Sequence, residues 1–355
     1  MSQLNLGQGG RAARPFVPMG GCPVCALMMS EAPPLRRPTR RPLRASSDVA
    51  AAPSPVKAAE PYKAKGGLVL RLGDFEVYSL IDHESVVSIE AMPKAKTPEE
   101  WNPHRHLITP DGKMRAALGG YLIRCKSQGR IVLLDLGMGE IPTKGMQFDA
   151  ALLKELAAFG HQPADVTDVI FTHLHADHVG WASTGGRPTF ANATYWCHQA
   201  EWDHWMNNQP TDDDWKKDFK PQVAQWFVQA GVDAVKPIEP LLKTYAGQAH
   251  EVFPGLTLRL VPGHTPGHTI VQLDSGGERA LLVGDVAHSP MELEDKQWLG
   301  AYDTDLALAL ATRSEIIDEI VRDKVQVAAG HLSGLRFGRI VMTADQQLKF
   351  YYNEA

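Results

Sequence analysis

The chain has few cysteines and no long apolar run, and both absences limit what it can be. Its 355 residues include 4 cysteines, of which Cys22 and Cys25 form a CxxC while Cys125 and Cys197 stand alone, so no disulfide framework can be read. A second CxxC, which would complete a cysteine zinc site, is missing, and we interpret the pair as incidental. No stretch reaches the roughly 18 consecutive apolar residues of a transmembrane helix, which predicts no membrane partner.

The chain also has no excess of positive charge outside the N-terminal part. The formal net charge is −5, yet residues 1–60 hold eight Lys/Arg against three Asp/Glu, so the rest of the chain carries −10. A folded part with this charge is a poor match for a polyanion, and we predict no nucleic-acid partner. The hydrophobic fraction of 44% is that of an ordinary globular protein and supplies ample material for a core.

Residues 1–65 differ in composition from the rest, because they are rich in Pro, Arg, Ala and Gly and too poor in apolar residues to fold. We predict a disordered or leader-like extension at 1–65 and a folded domain at 66–355. The Arg-rich, acid-poor character is typical of targeting peptides, but the apolar patch at 24–29 is short. A leader, a mis-assigned start codon and a plain tail are the alternatives. We predict a cytoplasmic protein, with an export or targeting leader as the alternative.

Apolar patterns divide the rest of the chain into strands and helices. Alternating residues predict a hairpin of strands 68–72 and 75–81 around Gly73-Asp74, and the stretch at 91–115 is predicted to be a long loop. The further elements predicted are strands at 120–125, 130–136, 187–196, 252–260, 279–283 and 325–328, and helices over 148–159 and 306–321.

The most informative stretch is VIFTHLHADHVG at 169–180, where a β-branched apolar run ends in four potential metal ligands. These are His173, His175, Asp177 and His178. A short loop after a strand can direct all four towards one point, and neutral imidazole and carboxylate are ligands that zinc and related divalent metals accept. A solvated strand end is the alternative and would suit a single histidine better. Four such groups in six positions favour a metal site.

Three more candidate ligands follow predicted strands further along the chain. His264 lies in the turn-rich VPGHTPGHT at 261–269, Asp285 follows the strand at 279–283, and His331 follows the last one. Strand-end loops on a rigid sheet are common places for catalytic groups. Seven groups exceed the four ligands of one tetrahedral zinc, so the count favours two metals. His104 and His106 lack a preceding strand and a downstream carboxylate, and we predict that they are surface or pocket-rim residues.

HLHADH at 173–178, together with the three later ligands, resembles the HxHxDH pattern of the metallo-β-lactamase superfamily, and the resemblance covers about residues 66–350. It implies an α+β fold, a four-layer αββα sandwich, as the catalytic domain. It further implies that one metal is held by His173, His175 and His264, that the other is held by Asp177, His178 and His331, and that Asp285 bridges the two. By family position His268 would orient a ligand or have a structural role, and His288 is left open as a pocket residue.

The same resemblance implies two divalent metal ions, with Zn²⁺ as the first choice and Mn, Fe or Co as alternatives. A metal-bridging hydroxide would be the nucleophile, and Asp177 would act as the catalytic residue that passes a proton to the leaving atom. Within the superfamily, LRLGDFEVYSLID, HQAEWDHW and GHLSGLRFGRI look most similar to the methyl parathion hydrolase and N-acyl homoserine lactonase branch. The last of these segments predicts a rim of Arg336, Phe337 and Arg339 near His331.

We therefore predict a metal-dependent hydrolase that cleaves a small-molecule lactone or ester, such as the N-acyl homoserine lactones removed in quorum quenching, or an organophosphate triester. The prediction allows a homodimer. A glyoxalase II-like thioesterase is the first alternative, although only 24 residues follow His331, too few for that family's helical domain. A mononuclear iron dioxygenase of the same fold and a non-enzymatic metal-binding module are the others. Structural zinc sites are closed and often cysteine-rich, which disfavours the module.

Overall fold

The computed structural model describes residues 63–89, 97–141, 148–208, 221–299 and 302–353. Almost all of the predicted extension at 1–65, with Cys22 and Cys25, lies outside the described residues. Within the described ranges, no helix combines the length and the apolar content needed to cross a bilayer.

Nine strands come from the first half of the described chain. They are β1 (Leu68–Leu72), β2 (Phe75–Ser88), β3 (Lys113–Cys125), β4 (Arg130–Leu134), β5 (Asp168–Ile170), β6 (Ser183–Thr184), β7 (Arg187–Pro188), β8 (Thr194–His198) and β9 (Leu242–Tyr245). Seven of them form one sheet in the order β1-β2-β3-β4-β5-β8-β9, and β6 pairs with β7. The sheet is antiparallel up to β4 and parallel from β4 onwards. The predicted hairpin at 68–81 is confirmed.

A second seven-stranded sheet comes from the rest of the described chain. Its strands, which are adjacent in chain order, are β10 (Ala249–Phe253), β11 (Leu256–Leu260), β12 (Thr269–Ser275), β13 (Glu278–Leu282), β14 (Gln326–Ala328), β15 (Gly338–Met342) and β16 (Leu348–Tyr352). All neighbours are antiparallel except β13 and β14. Because β13 and β14 are parallel, the residues that follow them meet at the same edge of the sheet.

Seven α-helices accompany the sheets in the described ranges. They are α1 (Pro98–Trp101), α2 (Leu152–Ala158), α3 (Ala176–Val179), α4 (Gln199–Trp202), α5 (Pro221–Val235), α6 (Pro290–Glu294) and α7 (Leu306–Asp323). One apolar cluster joins the first sheet to α2, α3 and α5, a second lies between the sheets, and a third joins the second sheet to α7. Three apolar layers between four layers of structure make the αββα sandwich, which confirms the predicted fold class.

Several predicted elements have different bounds in the structure. The single strand predicted at 252–260 is wrong, because β10 and β11 form an antiparallel hairpin there. The predicted loop at 91–115 contains α1 and the start of β3, and β2 continues to Ser88.

Two further differences have a hydrogen bond as their cause. The helix predicted at 148–159 begins only at Leu152, because the carboxylate of Asp82, at a bulge in β2, accepts a hydrogen bond of 2.9 Å from the Leu152 N–H. The single strand predicted at 187–196 is wrong, since a turn closed by Ala193 N–H and Phe190 O at 3.0 Å separates β7 from β8. Both differences come from hydrogen bonds that apolar periodicity does not reveal.

Candidate metal centre

The loop after β5 carries the first four candidate ligands into the interior at one edge of both sheets. His173 and His175 precede the single turn of α3, and Asp177 and His178 lie within that turn. All four side chains are buried. A backbone hydrogen bond of 2.8 Å from Thr269 N–H to Thr172 O ties this loop to the second sheet.

His264 joins His173 and His175 in what we call the three-histidine cluster. Nε2 of His173 lies 2.9 Å from Nδ1 of His175. Nε2 of His264 lies 3.2 Å and 3.1 Å from these two nitrogens. In a tetrahedral site with Zn–N bonds near 2.0 Å, ligand nitrogens stand about 3.3 Å apart. The cluster therefore has the spacing of three ligands around one ion.

Asp177, His178 and His331 form a second group, the mixed cluster, whose facing atoms lie within 4.8 Å of one another. Oδ2 of Asp177 is 3.9 Å from Nε2 of His178 and 3.7 Å from Nε2 of His331. A Cβ on Gly330 would come within 2.4 Å of an oxygen of Asp285. Glycine at 330 thus permits the close approach of the two loops that carry His331 and Asp285.

Asp285 lies between the two clusters. Its Oδ2 is 3.1 Å from Nε2 of His331 and 3.3 Å from Nε2 of His178, on the mixed cluster's side. The same oxygen is 3.6 Å from Nε2 of His264 and 3.9 Å from Nε2 of His173. One carboxylate is thus within reach of both groups, the position predicted for a bridging ligand.

Asp135, at the end of β4, holds two of the histidines from behind. Its Oδ2 is 2.9 Å from Nδ1 of His178 and accepts a 2.8 Å hydrogen bond from the hydroxyl of Thr172. That hydroxyl is in turn 3.0 Å from Nδ1 of His173. Carboxylates that bind the far nitrogen of an imidazole fix its tautomer and leave the other nitrogen free to bind a metal.

The histidines from the second sheet are held in the same way. Nδ1 of His264 is 3.1 Å from Oδ1 of Asp303, and Nδ1 of His331 is 3.2 Å from the carbonyl oxygen of Ala117. His268 lies in the same turn as His264, but its Nε2 makes a backbone hydrogen bond and does not face either cluster. Its Nε2 accepts a 3.0 Å hydrogen bond from the backbone N–H of Asp285, so it orients Asp285, as predicted.

The charge states of the buried groups suit a cation. Burial lowers the pKa of His173 and of His175 well below the usual value, and the neighbouring imidazoles lower both further. Burial alone would raise the pKa of Asp285, but the imidazoles of His331 and His178 hold it well below its usual range. His173, His175 and Asp285 are therefore in the forms that bind metals. Burial alone would lower the pKa of His178, but the carboxylates of Asp285, Asp135 and Asp177 hold it well above the usual value, so a metal ion bound there would displace a proton.

Several buried atoms at the centre make no hydrogen bond within the described part of the chain. Among them are Nε2 of His178 and Oδ1 of Asp285. Buried polar atoms are normally satisfied, and both atoms are potential ligands directed at the clusters. Together with the spacing of the three-histidine cluster and the shared Asp285, they show that the side chains fit a pair of divalent metal ions.

Other sequence predictions have mixed outcomes. His288 faces the centre, with its Nε2 3.3 Å from Oδ2 of Asp285. His104 is not a surface residue, because it is buried and its Nδ1 is 2.7 Å from Glu294, whereas His106 is partly exposed. Neither His104 nor His106 belongs to a metal-binding group among the described residues.

The predicted rim of Arg336, Phe337 and Arg339 is wrong for two of its members. Phe337 is fully buried in the apolar cluster between the sheets. Arg339 lines a surface cavity of about 640 Å³ beside Glu278, where β13 begins, while Asp285 follows the other end of that strand. Strand polarity, which the sequence pattern did not reveal, moves Arg339 away from the centre.

A model of the metallo-beta-lactamase superfamily matches residues 120–331 of the chain. The match contains all seven predicted ligands, the end of β3 and strands β4 to β14. An N-acyl homoserine lactonase from Bacillus cereus is 25% identical over 243 residues, which cover 63% of this chain and 84% of that protein.

Two solved structures resemble the fold over nearly their whole length. The dizinc quorum-quenching lactonase AidC, in complex with N-hexanoyl-L-homoserine, aligns with a TM-score of 0.71 and 24% identity, covering 82% of this chain and 99% of its own. The hydrolase AbOPH aligns with a TM-score of 0.69 and 23% identity, covering 83% and 99%. At these identities the likeness shows the fold.

Proposed function

The chain belongs to the metallo-β-lactamase superfamily, and from that premise we propose that it is a dinuclear hydrolase of lactones, with N-acyl homoserine lactones as its substrate class. The observation that carries the proposal is the placement of Asp285 between two adjoining groups of buried donors. The lactonase from Bacillus cereus, which this chain matches over 84% of its length, supports the choice of substrate.

In this proposal His173, His175 and His264 would hold one metal ion, Asp177, His178 and His331 would hold the other, and Asp285 would be shared by both. Zinc is the proposed metal, because five imidazoles and two carboxylates without a thiolate are a common donor set for catalytic zinc. When bound, the pair of ions activates water and polarises the carbonyl oxygen of the substrate.

The remaining chemistry belongs to the chain. Asp177 and Asp285 are the carboxylates of the two ligand groups, and Asp177 is proposed to take a proton and pass it to the leaving oxygen of the opened lactone. Asp135 and Asp303 keep His178 and His264 in the tautomers that face the centre. Burial of the whole cluster keeps bulk water away and strengthens these interactions.

The test is metal content by elemental analysis of the purified protein, measured beside hydrolysis of a long-chain acyl homoserine lactone, an aryl phosphotriester and a glutathione thioester. Each assay is run before and after treatment with a chelator, and a His264→Ala variant serves as the site-specific control. We expect two equivalents of metal and lactone cleavage that the chelator and the variant both abolish.

The other outcomes separate the alternatives. Cleavage of the phosphotriester or the thioester in place of the lactone would keep the dinuclear hydrolase and replace its substrate. One equivalent of iron without hydrolysis would favour the dioxygenase. Two equivalents of metal with no activity in any assay would favour a structural metal module.

A further inference from the structure

Glu201, in α4, is a fully buried carboxylate that accepts four hydrogen bonds. Oε1 accepts from the backbone N–H of Leu174 at 2.9 Å and from Nε1 of Trp205 at 2.6 Å. Oε2 accepts from the hydroxyl of Thr265 at 2.6 Å and from the backbone N–H of Gly267 at 3.0 Å. No ion pair involves Glu201 among the residues that the structure describes. Such a costly burial of charge is stabilised by four donors that must all be in place.

Two of these donors lie beside metal-facing histidines on two different loops. Leu174 separates His173 from His175 on the loop after β5, and Thr265 directly follows His264 on the loop between β11 and β12. The two oxygens of one carboxylate therefore connect the two loops whose histidines stand 2.9 to 3.2 Å apart.

The other donors strengthen the same connection. The ring of Trp205 lies 5.3 Å from the ring of His175 at 68°. The hydrogen bond from the Trp205 indole to Glu201 therefore fixes an aromatic ring that packs against this imidazole. A Cβ on Gly267 would come within 2.2 Å of the backbone nitrogen of Glu201. Because this contact leaves no room for a side chain, α4 and the turn at Gly267 are held at one separation.

We propose that Glu201 is a positioning residue that sets the distance between the two loops of the three-histidine cluster and thereby determines how tightly that cluster binds its metal. The inference rests on the proposed dinuclear site. It assigns no contact with substrate or metal to Glu201. The carboxylate acts through Leu174 and Thr265, and the mixed cluster receives none of its hydrogen bonds.

Replacement of Glu201 by Gln tests the proposal because it keeps the shape and removes the charge. The amide NH₂ of Gln would face a donor on one of the two loops, so at least one connection must open. Loss of a partner that orients metal ligands typically costs about 10- to 100-fold in metal affinity. We expect that loss at the three-histidine cluster and a change of less than about 3-fold at the mixed cluster.

The experiment measures Zn²⁺ affinity by competition with a chromophoric chelator in two single-site backgrounds. His331→Ala combined with Asp177→Ala leaves the three-histidine cluster, and His173→Ala combined with His264→Ala leaves the mixed cluster. Glu201→Gln is added to each background. Thr265→Val, which removes one hydroxyl donor and keeps the volume, is the milder second variant should Glu201→Gln not fold.

Glu155→Gln is the matched control. Glu155 is equally buried and accepts backbone N–H groups of Lys65 and Gly66 at 2.7 and 2.8 Å, and these two contacts hold the start of the fold, far in sequence from the metal loops. Both Glu variants should lower the melting temperature of the metal-free protein. Only Glu201→Gln, and to a smaller extent Thr265→Val, should weaken the three-histidine cluster, which separates positioning from general stability.

Equal loss at both clusters, or unchanged Zn²⁺ affinity in Glu201→Gln and Thr265→Val, would overturn the proposal. If the three-histidine background binds no Zn²⁺ at all, both this inference and the dinuclear site fail. If Glu201→Gln weakens that background while the original protein cleaves no lactone, the inference holds and the proposed substrate fails.

Discussion

At the scale of single residues, the candidate centre depends on the groups that bind the outer nitrogens of the imidazoles as well as on the ligand atoms that face one another. The far nitrogens of His178, His264 and His331 contact Asp135, Asp303 and a backbone carbonyl. Each contact selects one tautomer and directs the other nitrogen inward. The donor groups are therefore preorganised, and a bound ion would need little rearrangement of the protein.

Asp177→Asn is expected to lower lactone hydrolysis by roughly 100-fold or more, because proton transfer by a positioned side chain contributes about 10²- to 10⁴-fold. The amide keeps an oxygen for metal binding but cannot accept the proton. Steady-state rates and metal content of the same samples check this. Asp274→Asn, at an exposed carboxylate, is the control. Full activity with both equivalents of metal retained would rule out the proton-transfer role.

The sequence was sufficient to select most of the residues that face the centre but, apart from His268, not those that support them. His173, His175, Asp177 and His178 are recognisable because four ligand types are concentrated in six positions. Asp303 lies in an irregular stretch between α6 and α7 and has no pattern around it. Glu201 appears in the sequence as an ordinary charged residue of a polar stretch, and only the structure shows that it is buried against two loops.

At the scale of elements, Glu294 connects three segments of the chain, which are α6, the segment at 97–108 and β16. Its carboxylate, at the end of α6, is 2.7 Å from Nδ1 of His104 and 2.8 Å from Nε2 of His106, and it accepts a 2.8 Å hydrogen bond from the backbone N–H of Phe350 in β16. The segment at 97–108 is thereby attached to the second sheet, next to the helix that follows His288.

Glu294→Gln is expected to destabilise the protein by about 2 kcal/mol at pH 7, the usual range for hydrogen bonds to a charged group. Burial raises the pKa of Glu294, but hydrogen bonds from His104 and Phe350 outweigh it, so the folded-state pKa lies below the usual value. The stabilisation is therefore present above about pH 4.5, the ordinary pKa of Glu, and is lost as pH falls through the lower folded-state pKa.

Urea unfolding of the original protein and of Glu294→Gln at a series of pH values measures this difference. The gap between the two should be largest near pH 7 and should shrink in acid. Glu278→Gln, at an exposed position, should show no such gap. A gap that stays constant down to pH 3 would contradict the assignment of the effect to the ionised carboxylate.

Element bounds were predictable where apolar alternation alone decides them, as in β1 and at the start of β2. They were not predictable where a distant side chain intervenes. Asp82 accepts hydrogen bonds from the N–H groups of Gly139 and Leu152 and from the indole of Trp181, all at 2.9 Å. These three contacts cross the first half of the chain, so no local window of sequence contains the signal that starts α2.

At the scale of the whole molecule, the candidate site lies where the two sheets meet, and both sheets contribute residues to it. The first sheet supplies His173, His175, Asp177 and His178, and the second supplies His264, Asp285 and His331. The apolar layer between the sheets, which includes the fully buried Val77, Ile123 and Leu273, fixes their separation. The resemblance to a known superfamily predicted this arrangement, whereas periodicity predicted only the separate strands.

We predict that the folded domain is independent of residues 1–62. A chain that starts at Lys63 keeps both sheets, all seven candidate ligands and the hydrogen bonds from Lys65 and Gly66 to Glu155. Its melting temperature, metal content and hydrolysis should equal those of the full chain. A fall in melting temperature of more than about 3 °C, or roughly 1 kcal/mol at this size, would show that the extension contributes to the fold.

The long intervals between the candidate ligands have a consequence for how the protein matures. His173 and His264 are 91 positions apart, and Asp285 and His331 are 46 apart. Closing such loops in an unfolded chain costs entropy, so the donors converge only once the strands have paired. A metal ion would then bind late in folding, when the geometry of the donors is already fixed. That geometry, and not only the intrinsic order of metal affinities, would affect which metal binds. The stage of folding at which the metal binds, as well as the donor set, would thus influence which metal the protein contains.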